Sequence, residues 1–367
     1  VRGHHPDSWA WGRKWRNGKT GLVGPVVCFE PAYPSLIQPK ERIIYLPIYE
    51  AGWPIQKEQK RGLREALATI GLVIEYDYVT RHQELGKALM LTELMRLCQR
   101  ISPTIILTQL HNGVVINAGD IQILRSASPG AKFLNWNGDY WPENLVSQDG
   151  LALARAFDLQ TTVNRAVLDE YQAKGINAAY WQIGWEPDGV GYEPDTWDDI
   201  VFLGSGYSQA RQQFVKRLKA LDGFSLGLYG SGWPDGWAKG QCLYDFKTAC
   251  RIYRGAKISL GDSQWPDSGF VSNRVMQALA AGGAALAHQW FRGMDELGLV
   301  DGETCIIWHE FSELEEKMHY YIGHEDERRR VAGAGERLAL ERHSFEARVR
   351  ELLQMIKFSE LQEESWR

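Results

Sequence analysis

The chain has 367 residues, a length that suits two α/β domains better than a single core. Hydrophobic residues make up 44% of the chain and charged residues 24%, which excludes a disordered polymer. No apolar run approaches the ~20 residues that a membrane span needs. The net charge of −5 is too small to recruit nucleic acid or a membrane by itself, so we expect a soluble globular protein.

The cysteine pattern argues against a disulfide framework and against a zinc site. The chain has five cysteines, an odd number, and no two of them form a C-x-x-C pair. The first six residues also lack the apolar segment of a secretory signal. We therefore expect reduced thiols and a cytoplasmic location.

Residues 1–40 show no clear hydrophobic period and are predicted to form an irregular N-terminal extension. Within them Trp9, Trp11 and Trp15 alternate with arginine and lysine. Interleaved aromatic and basic side chains suit a polynucleotide strand. The alternative is an extension that packs over the first domain.

From residue 42 onward, short apolar runs alternate with segments of helical period. Strands are predicted at 42–49, 72–79, 103–110, 131–136, 157–163 and 178–183. Alternation with short connections predicts a doubly wound parallel sheet. Ligands bind such sheets at the carboxyl ends of the strands, where Glu50, His111 and Asp139 follow three of the runs. Each of the three is a candidate catalytic residue; the alternative is a turn residue bonded to its own backbone.

A segment rich in Pro, Gly and Asp, residues 186–195, is the best candidate linker. It predicts an N-terminal Rossmann-like domain at 41–190 and a C-terminal domain at 191–345. Residues 346–367 would form a C-terminal helix and tail, for which a return to the N-terminal domain is one option.

Residues 263–283 read as an anion site in the second half of the chain. A polar loop there leads into a helix with Ser272 as its predicted N-cap and two glycines at its end. The free N–H groups of the first turn, the helix dipole and Arg274 would converge on an anion, and a diphosphate fits best. The alternative is a capped amphipathic helix whose arginine faces water.

Other nucleotide motifs are incomplete or absent. Gly204 and Gly206 follow a strand as in a dinucleotide fingerprint, but Gln209 stands at the third glycine position. The next predicted strand ends without the acidic residue that would hold a ribose, so an NAD enzyme is disfavoured. No P-loop and no G-x-S-x-G elbow is present. His319, His324 and His343 are expected to be solvated.

Several runs in the second half, taken together, resemble one family. They are Phe202–Ser205 with Arg211, Leu228–Trp233, Tyr253–Leu260, Asn273–Gly283 and Glu341–Arg348. In this order and spacing they resemble the nucleotide-sugar domain of GT-B glycosyltransferases, in particular the CgeB-like group of "glycosyl transferases group 1". The resemblance covers roughly residues 199–350 and, more loosely, residues 124–139.

The resemblance implies an α/β fold of two Rossmann-like, doubly wound parallel-sheet domains facing a cleft. It implies a hexosyltransferase-like enzyme that uses a nucleotide-diphosphate sugar, above all a UDP-sugar, without a cofactor or a required metal. The implied donor-binding residues are Gly204, Ser205, Gly206, Arg211, Tyr229, Gly230, Trp233, Ser268, Ser272, Asn273, Arg274 and Gln277. Gln277 stands where the family usually has a glutamate, and Gly269 replaces the acidic partner, so the retaining pattern of paired glutamates is not implied.

A departing diphosphate needs positive groups, which the helix at Ser272, Arg274 and Arg211 would supply. An acceptor hydroxyl needs a base, with Asp139 and His111 as first candidates and Glu50 as the third. A retaining mechanism would need no such base.

The acceptor is open at the level of sequence. One hypothesis is a hydroxymethylated base in DNA, as in phage DNA-modifying enzymes; the others are a small molecule, a glycan or a protein. Two different classes of function also stay open, a dinucleotide-dependent oxidoreductase and a non-catalytic binding module.

Overall fold

A computed structural model describes residues 26–29, 41–48, 55–138, 147–182, 184–185, 193–194, 197–241 and 246–365. The alternation of strands and helices predicted from the sequence is confirmed throughout these ranges. The strands are β1 (Val26–Phe29), β2 (Glu41–Leu46), β3 (Gly71–Tyr76), β4 (Ile105–Thr108), β5 (Lys132–Asn137), β6 (Leu159–Thr162), β7 (Ala178–Tyr180), β8 (Asp198–Leu203), β9 (Leu226–Tyr229), β10 (Ala256–Gly261), β11 (Ala285–Gln289) and β12 (Ile306–Trp308). The helices are α1 (Ile55–Ala68), α2 (Tyr78–Leu85), α3 (Lys87–Ile101), α4 (Ala118–Ala127), α5 (Gln148–Arg155), α6 (Arg165–Ala173), α7 (Gln209–Lys219), α8 (Phe246–Arg254), α9 (Asn273–Ala281), α10 (Phe311–Gly323), α11 (Glu325–Arg342) and α12 (Phe345–Ser365).

The first sheet has the strand order β1-β3-β2-β4-β5-β6-β7. Its central pairs β3-β2, β2-β4 and β4-β5 are parallel, whereas β1 is antiparallel to β3. Strand β1 corrects the expectation that the first 40 residues are wholly irregular. A strand of four residues between prolines is too short to show a period, so only its sheet neighbour reveals it.

The second sheet has the order β12-β11-β10-β8-β9, and all of its pairs are parallel. Alternate residues of β8 enter different hydrophobic clusters: Val201 and Leu203 pack into one, Ile200 and Phe202 into the other. Successive side chains of a strand point to opposite faces, so this sheet is covered on both faces. In such a sheet, ligands can reach only the two edges formed by the strand ends, one at the carboxyl ends of the strands and one at their amino ends.

The chain divides into two compact units. The first takes its residues from 1–53, 64–137 and 146–161, and the second from 54–63, 138–145 and 162–367. The second unit thus includes α6 and β7, which precede the predicted linker. Most of that linker lies outside the described residues, and the boundary at residue 190 stays a prediction.

Asn135, a polar residue inside β5, fixes the loop that follows β4 in the first unit. Its side chain is buried; Oδ1 accepts from Leu110 N at 2.8 Å and from the Thr108 hydroxyl at 2.7 Å. Its Nδ2 donates to Leu110 O and to Gln160 Oε1, each at 3.0 Å. One amide therefore satisfies four buried polar groups.

Replacing Asn135 with alanine is expected to lower the free energy of unfolding by about 2–4 kcal/mol, because buried polar groups lose their partners. Chemical denaturation measures the difference. Asn112→Ala is the matched control, since the exposed Asn112 bonds only to nearby Val114 N and its loss is expected to cost a few tenths of a kcal/mol, as for an exposed turn residue. Equal losses in the two variants would contradict this role for Asn135.

His343 is buried, which corrects the expectation that it is solvated; His319 and His324 are exposed as expected. Its Nε2 donates to Leu297 O at 2.9 Å, and its Nδ1 accepts from the Arg348 guanidinium. Burial, and then the Arg348 charge, lower the pKa of His343 to about 3. The helical pattern around it is polar, so no local pattern predicts this contact between α11 and α12.

His343 makes stability depend on pH. The unfolded imidazole titrates near pH 6.5 and the folded one near 3, so the unfolded state binds more protons between these values. The free energy of unfolding is therefore expected to fall on acidification, by about 2 kcal/mol between pH 7 and pH 5 from this residue alone. Denaturant titrations at the two pH values measure it.

His343→Gln should lose that part of the pH dependence, whereas His319→Gln should keep it. An equal change between pH 7 and pH 5 in the wild type and in His343→Gln would contradict the assignment.

Candidate functional site

Helix α9 begins as the sequence predicts. Ser272 has an extended backbone (φ −73°, ψ 140°), and its hydroxyl accepts from Arg274 N at 3.4 Å. Gly282 follows the helix at φ 70°, a conformation that glycine adopts without strain. Val275 N also donates to Ser272 O at 3.0 Å, so the cap is already formed and the first turn of α9 presents the positive end of the helix dipole.

A pocket lies over this turn, and we name it the α9 pocket. Its lining residues are Phe202, Leu203, Gly204, Arg211, Tyr253, Leu260, Gly261, Asp262, Ser272, Arg274, Val275, Ala278, Leu286 and His288. Because β8, β10 and β11 are parallel, their carboxyl ends meet at this edge of the second sheet. The pocket brings together four residues predicted from the sequence: Gly204, Arg211, Ser272 and Arg274.

Arg211 is held by an acidic residue that the sequence analysis did not name. Its Nε donates to Asp262 Oδ2 at 2.8 Å, with both side chains mostly buried, and its Nη1 donates to Ser205 O at 3.1 Å. Asp262 directly follows β10, so the rule that found Glu50 and His111 applies to it as well. This ion pair compensates the charge of Arg211.

Arg274 carries the uncompensated charge of the α9 pocket. It lies in the first turn of α9 and is half-buried. Among the described residues, no carboxylate lies within ion-pair distance of its guanidinium. A cation without a counterion beside a helix N-terminus is the arrangement that binds oxyanions.

His288, at the end of β11, is a second pocket residue that the sequence analysis did not single out. It is buried, and its Nδ1 lies 2.6 Å from Gln289 O. A carbonyl only accepts, so Nδ1 carries the proton and Nε2 is an acceptor. Burial lowers the pKa of His288, although the Asp262 charge acts in the opposite direction, and the imidazole is neutral at pH 7. His288 can therefore accept a hydrogen bond from a hydroxyl group, but it does not present a positive charge to an anion.

Five predicted donor-binding residues build the loops beside the α9 pocket without lining it: Ser205, Gly206, Tyr229, Gly230 and Trp233. The Trp233 indole donates to Gly204 O at 3.0 Å, and Gly206 N donates to Ser231 O at 2.8 Å. A Cβ on Gly206 would lie 2.5 Å from the Trp233 ring, so this close approach requires glycine. These residues position Gly204.

The other three are Ser268, Asn273 and Gln277, and they also lie outside the pocket lining. Ser268 Oγ bonds to Trp265 O at 2.9 Å, and Asn273 Oδ1 accepts from Gln182 at 2.6 Å. Gln277 is buried, and its Nε2 reaches no acceptor among the described residues. Gln277 therefore holds a buried amide donor without an acceptor in the described part of the chain.

Of the three catalytic candidates, Glu50 and Asp139 lie outside the described residues. His111 follows β4 and is half-buried, and its backbone carbonyl accepts from Asn137 Nδ2 at 3.5 Å. All three roles stay predictions.

Within the described ranges, no three His, Cys, Asp or Glu side chains gather as a metal site would require. The same ranges hold no helix with the length and apolarity to cross a bilayer. The expectation that no metal is needed stays a prediction.

The packing of His288 requires glycine at position 261. These residues are partners in the β10-β11 ladder, and a Cβ on Gly261 would lie 2.1 Å from His288 Cδ2. Gly261→Ala is expected to destabilise the protein by about 1–3 kcal/mol, as overpacking does. Thermal and denaturant unfolding measure the loss.

The double variant Gly261→Ala, His288→Ala removes the clash and should regain part of that loss. Gly130→Ala is the control, because a Cβ there meets nothing within 4 Å. A Gly261→Ala protein as stable as the wild type would contradict the packing.

One family model is similar to part of the chain. A family model described as glycosyl transferase-like matches residues 211–354, which run from α7 into α12 and span less than half of the chain. No curated protein matches the sequence.

Solved structures extend the likeness to the whole fold. HepE from Anabaena, determined with UDP and glucose, has a TM-score of 0.59 at 11% identity, covering 86% of this chain and 99% of its own. A glycosyltransferase from Rickettsia africae has a TM-score of 0.59 at 12% identity, covering 86% and 98%. Sucrose-phosphate synthase from Thermosynechococcus elongatus has a TM-score of 0.58 at 12% identity, covering 86% and 98%.

The protein therefore has the GT-B glycosyltransferase fold, as the sequence resemblance implied. Its second unit carries the glycosyl transferase-like segment that contains Arg211, Asp262, Arg274 and His288. The narrower CgeB-like assignment stays a prediction.

Proposed function

We propose that this protein transfers a sugar from a nucleotide-diphosphate donor, a UDP-sugar, to a hydroxyl acceptor. The diphosphate binds in the α9 pocket. The observation that carries the proposal is Arg274, a cation without a counterion among the described residues, at the capped N-terminus of α9. The glycosyl transferase-like segment at 211–354 and the fold shared with HepE, which was determined with UDP-glucose, support it.

The pocket fits a leaving diphosphate better than a neutral ligand. Charge develops on the diphosphate as the glycosidic bond breaks, and fixed N–H groups and a nearby guanidinium stabilise that charge in the transition state. Arg211 contributes less, since Asp262 compensates it. Arg274 and the first turn of α9 are therefore the main stabilising groups.

Two neutral groups suit the hydroxyls of the donor. His288 is a neutral acceptor that lines the pocket, and Gln277 holds a buried amide donor on the same helix as Arg274. A hydroxyl both donates and accepts, so it can satisfy groups of either kind. The Gln277 amide replaces the glutamate of the family with a group that does not repel phosphate.

The acceptor and the base are proposed on the sequence alone. Asp139, His111 and Glu50 are the candidate bases, and a hexosyl donor is the expected sugar. The hypothesis of a hydroxymethylated DNA base rests on Trp9, Trp11 and Trp15, which lie outside the described residues. A small molecule, a glycan or a protein are the alternative acceptors.

UDP is expected to raise the melting temperature of the protein by mass action, whereas NAD is not. Arg274→Ala should weaken UDP binding roughly 10- to 100-fold, because a charge-assisted contact to phosphate is lost, and should leave the unliganded melting temperature unchanged. Isothermal titration calorimetry measures the dissociation constants.

Arg350→Ala is the control, since Arg350 is exposed on α12 and pairs only with Glu346. A melting temperature unmoved by millimolar UDP and other nucleoside diphosphates would refute the proposed donor. UDP binding that survives Arg274→Ala at full affinity would instead remove Arg274 from the site.

A further inference from the structure

A second cavity, of about 580 Å³, lies beside the first half of α11, and we name it the α11 cavity. It is bounded by Asp198 at the start of β8, Ala256 at the start of β10 and Gly283 just before β11. Since these strands are parallel, the α11 cavity lies at the opposite edge of the second sheet from the α9 pocket. Its size suits a small organic ligand.

Arg328 is the unusual group in this cavity. Its side chain is 7% exposed, and Nη1 donates to Tyr321 O at 3.2 Å. Its Nε is buried and reaches no acceptor among the described residues. The same residues supply no carboxylate within ion-pair distance, and burial lowers the pKa of this guanidinium. A buried charge in proteins normally has a counterion, because desolvation without one is costly.

The other charged residues around the cavity are largely paired. Lys257 bonds to Asp199 at 2.7 Å, Arg329 pairs with Glu325, and Asp198 pairs with Lys239. Of these acids, Glu325 and Asp199 act on Arg328 only from beyond ion-pair distance.

Three charged groups in the lining lack an ionic partner within the described part of the chain: Arg254, Arg328 and Glu336. Arg254 donates to Ala281 O at 2.8 Å, and the Glu336 carboxylate lies against Gly282, where a Cβ would approach it to 2.7 Å. The lining as a whole holds four cations and four carboxylates, but its unpaired groups are two cations and one carboxylate.

The rim of the cavity carries Trp197, a large aromatic side chain that is 78% exposed. An exposed indole beside a cavity can cover an apolar or sugar ring face of a ligand. The cavity thus combines a buried cation with an aromatic rim.

We propose that the α11 cavity is a second binding site for a small organic oxyanion, whose phosphate or carboxylate group pairs with Arg328 while its body lies toward Trp197. This site does not depend on the proposed donor site, because the two lie at opposite ends of the same strands.

The test titrates the full-length protein with inorganic phosphate, malonate and a hexose 6-phosphate, at constant ionic strength set with sodium chloride. Calorimetry and thermal shift report binding. We expect at least one of the three to bind, and Arg328→Gln to raise its dissociation constant roughly tenfold or more, because the charge-assisted pair is lost. Glu336→Gln should instead tighten binding by a few-fold, because it removes the unpaired carboxylate.

Arg330→Gln, two residues along α11 and outside the lining of the cavity, is the matched control and should leave binding unchanged. Arg274→Ala separates the two sites, since an anion in the α9 pocket would respond to it and an anion in the α11 cavity would not. The proposal is overturned if none of the three anions binds, or if binding responds to Arg274→Ala and not to Arg328→Gln. If Arg328→Gln fails to fold, unchanged binding in Glu336→Gln overturns it.

Discussion

The parallel pairing of β8, β10 and β11 is the constraint on which the candidate sites depend. Parallel strands covered on both faces leave ligands only the two edges. The carboxyl edge gathers Gly204, Asp262 and His288, whereas the amino edge gathers Asp198 and Ala256. A one-residue shift in register would turn Asp262 or His288 toward the opposite face of the sheet. The register of the strand pairing thus determines which side chains meet at each edge of the sheet.

The α9 pocket contains two arginines, of which one is ion-paired and the other is not. Arg211 is fixed by Asp262 and by Ser205 O, so it is ordered before any ligand binds. Arg274 has no such partner among the described residues, and its side chain is only partly buried, which lowers the cost of leaving it unpaired. Such a pocket costs little stability in the unliganded protein, and it still presents one strong anion-binding group. Two paired arginines would give a more stable empty pocket with less attraction for a diphosphate.

The sequence predicted the elements closely because apolar runs and helical periods alternate so strictly from residue 42 onward. It predicted the N-cap at Ser272 from a residue type and its place before a helical period. It missed β1, which is only four residues long. Asp262 and His288 end strands in the same way as His111, so the rule of strand ends would have found them had it been applied throughout the second half.

Other features could not be predicted, because they depend on contacts between distant residues. His343 lies in a polar helical stretch, and only the Leu297 carbonyl and Arg348 explain why it is buried. Asn135 satisfies groups on β4 and β6 that no local pattern connects to it. Likewise, only the fold shows that Arg211 has a neutralising carboxylate and that Arg274 has none among the described residues.

The two edges of the second sheet also differ in how they can bind an anion. At the carboxyl edge α9 begins, and its dipole adds to Arg274. At the amino edge α8 and α9 end, and the negative ends of their dipoles oppose an anion, whereas the N-terminal end of α11, which lines the α11 cavity, favours one. Arg254 and Arg328 each donate one N–H to a carbonyl near a helix C-terminus, Ala281 and Tyr321. Those bonds offset part of the cost of burying Arg328 without a carboxylate, and they leave its remaining N–H groups for a ligand.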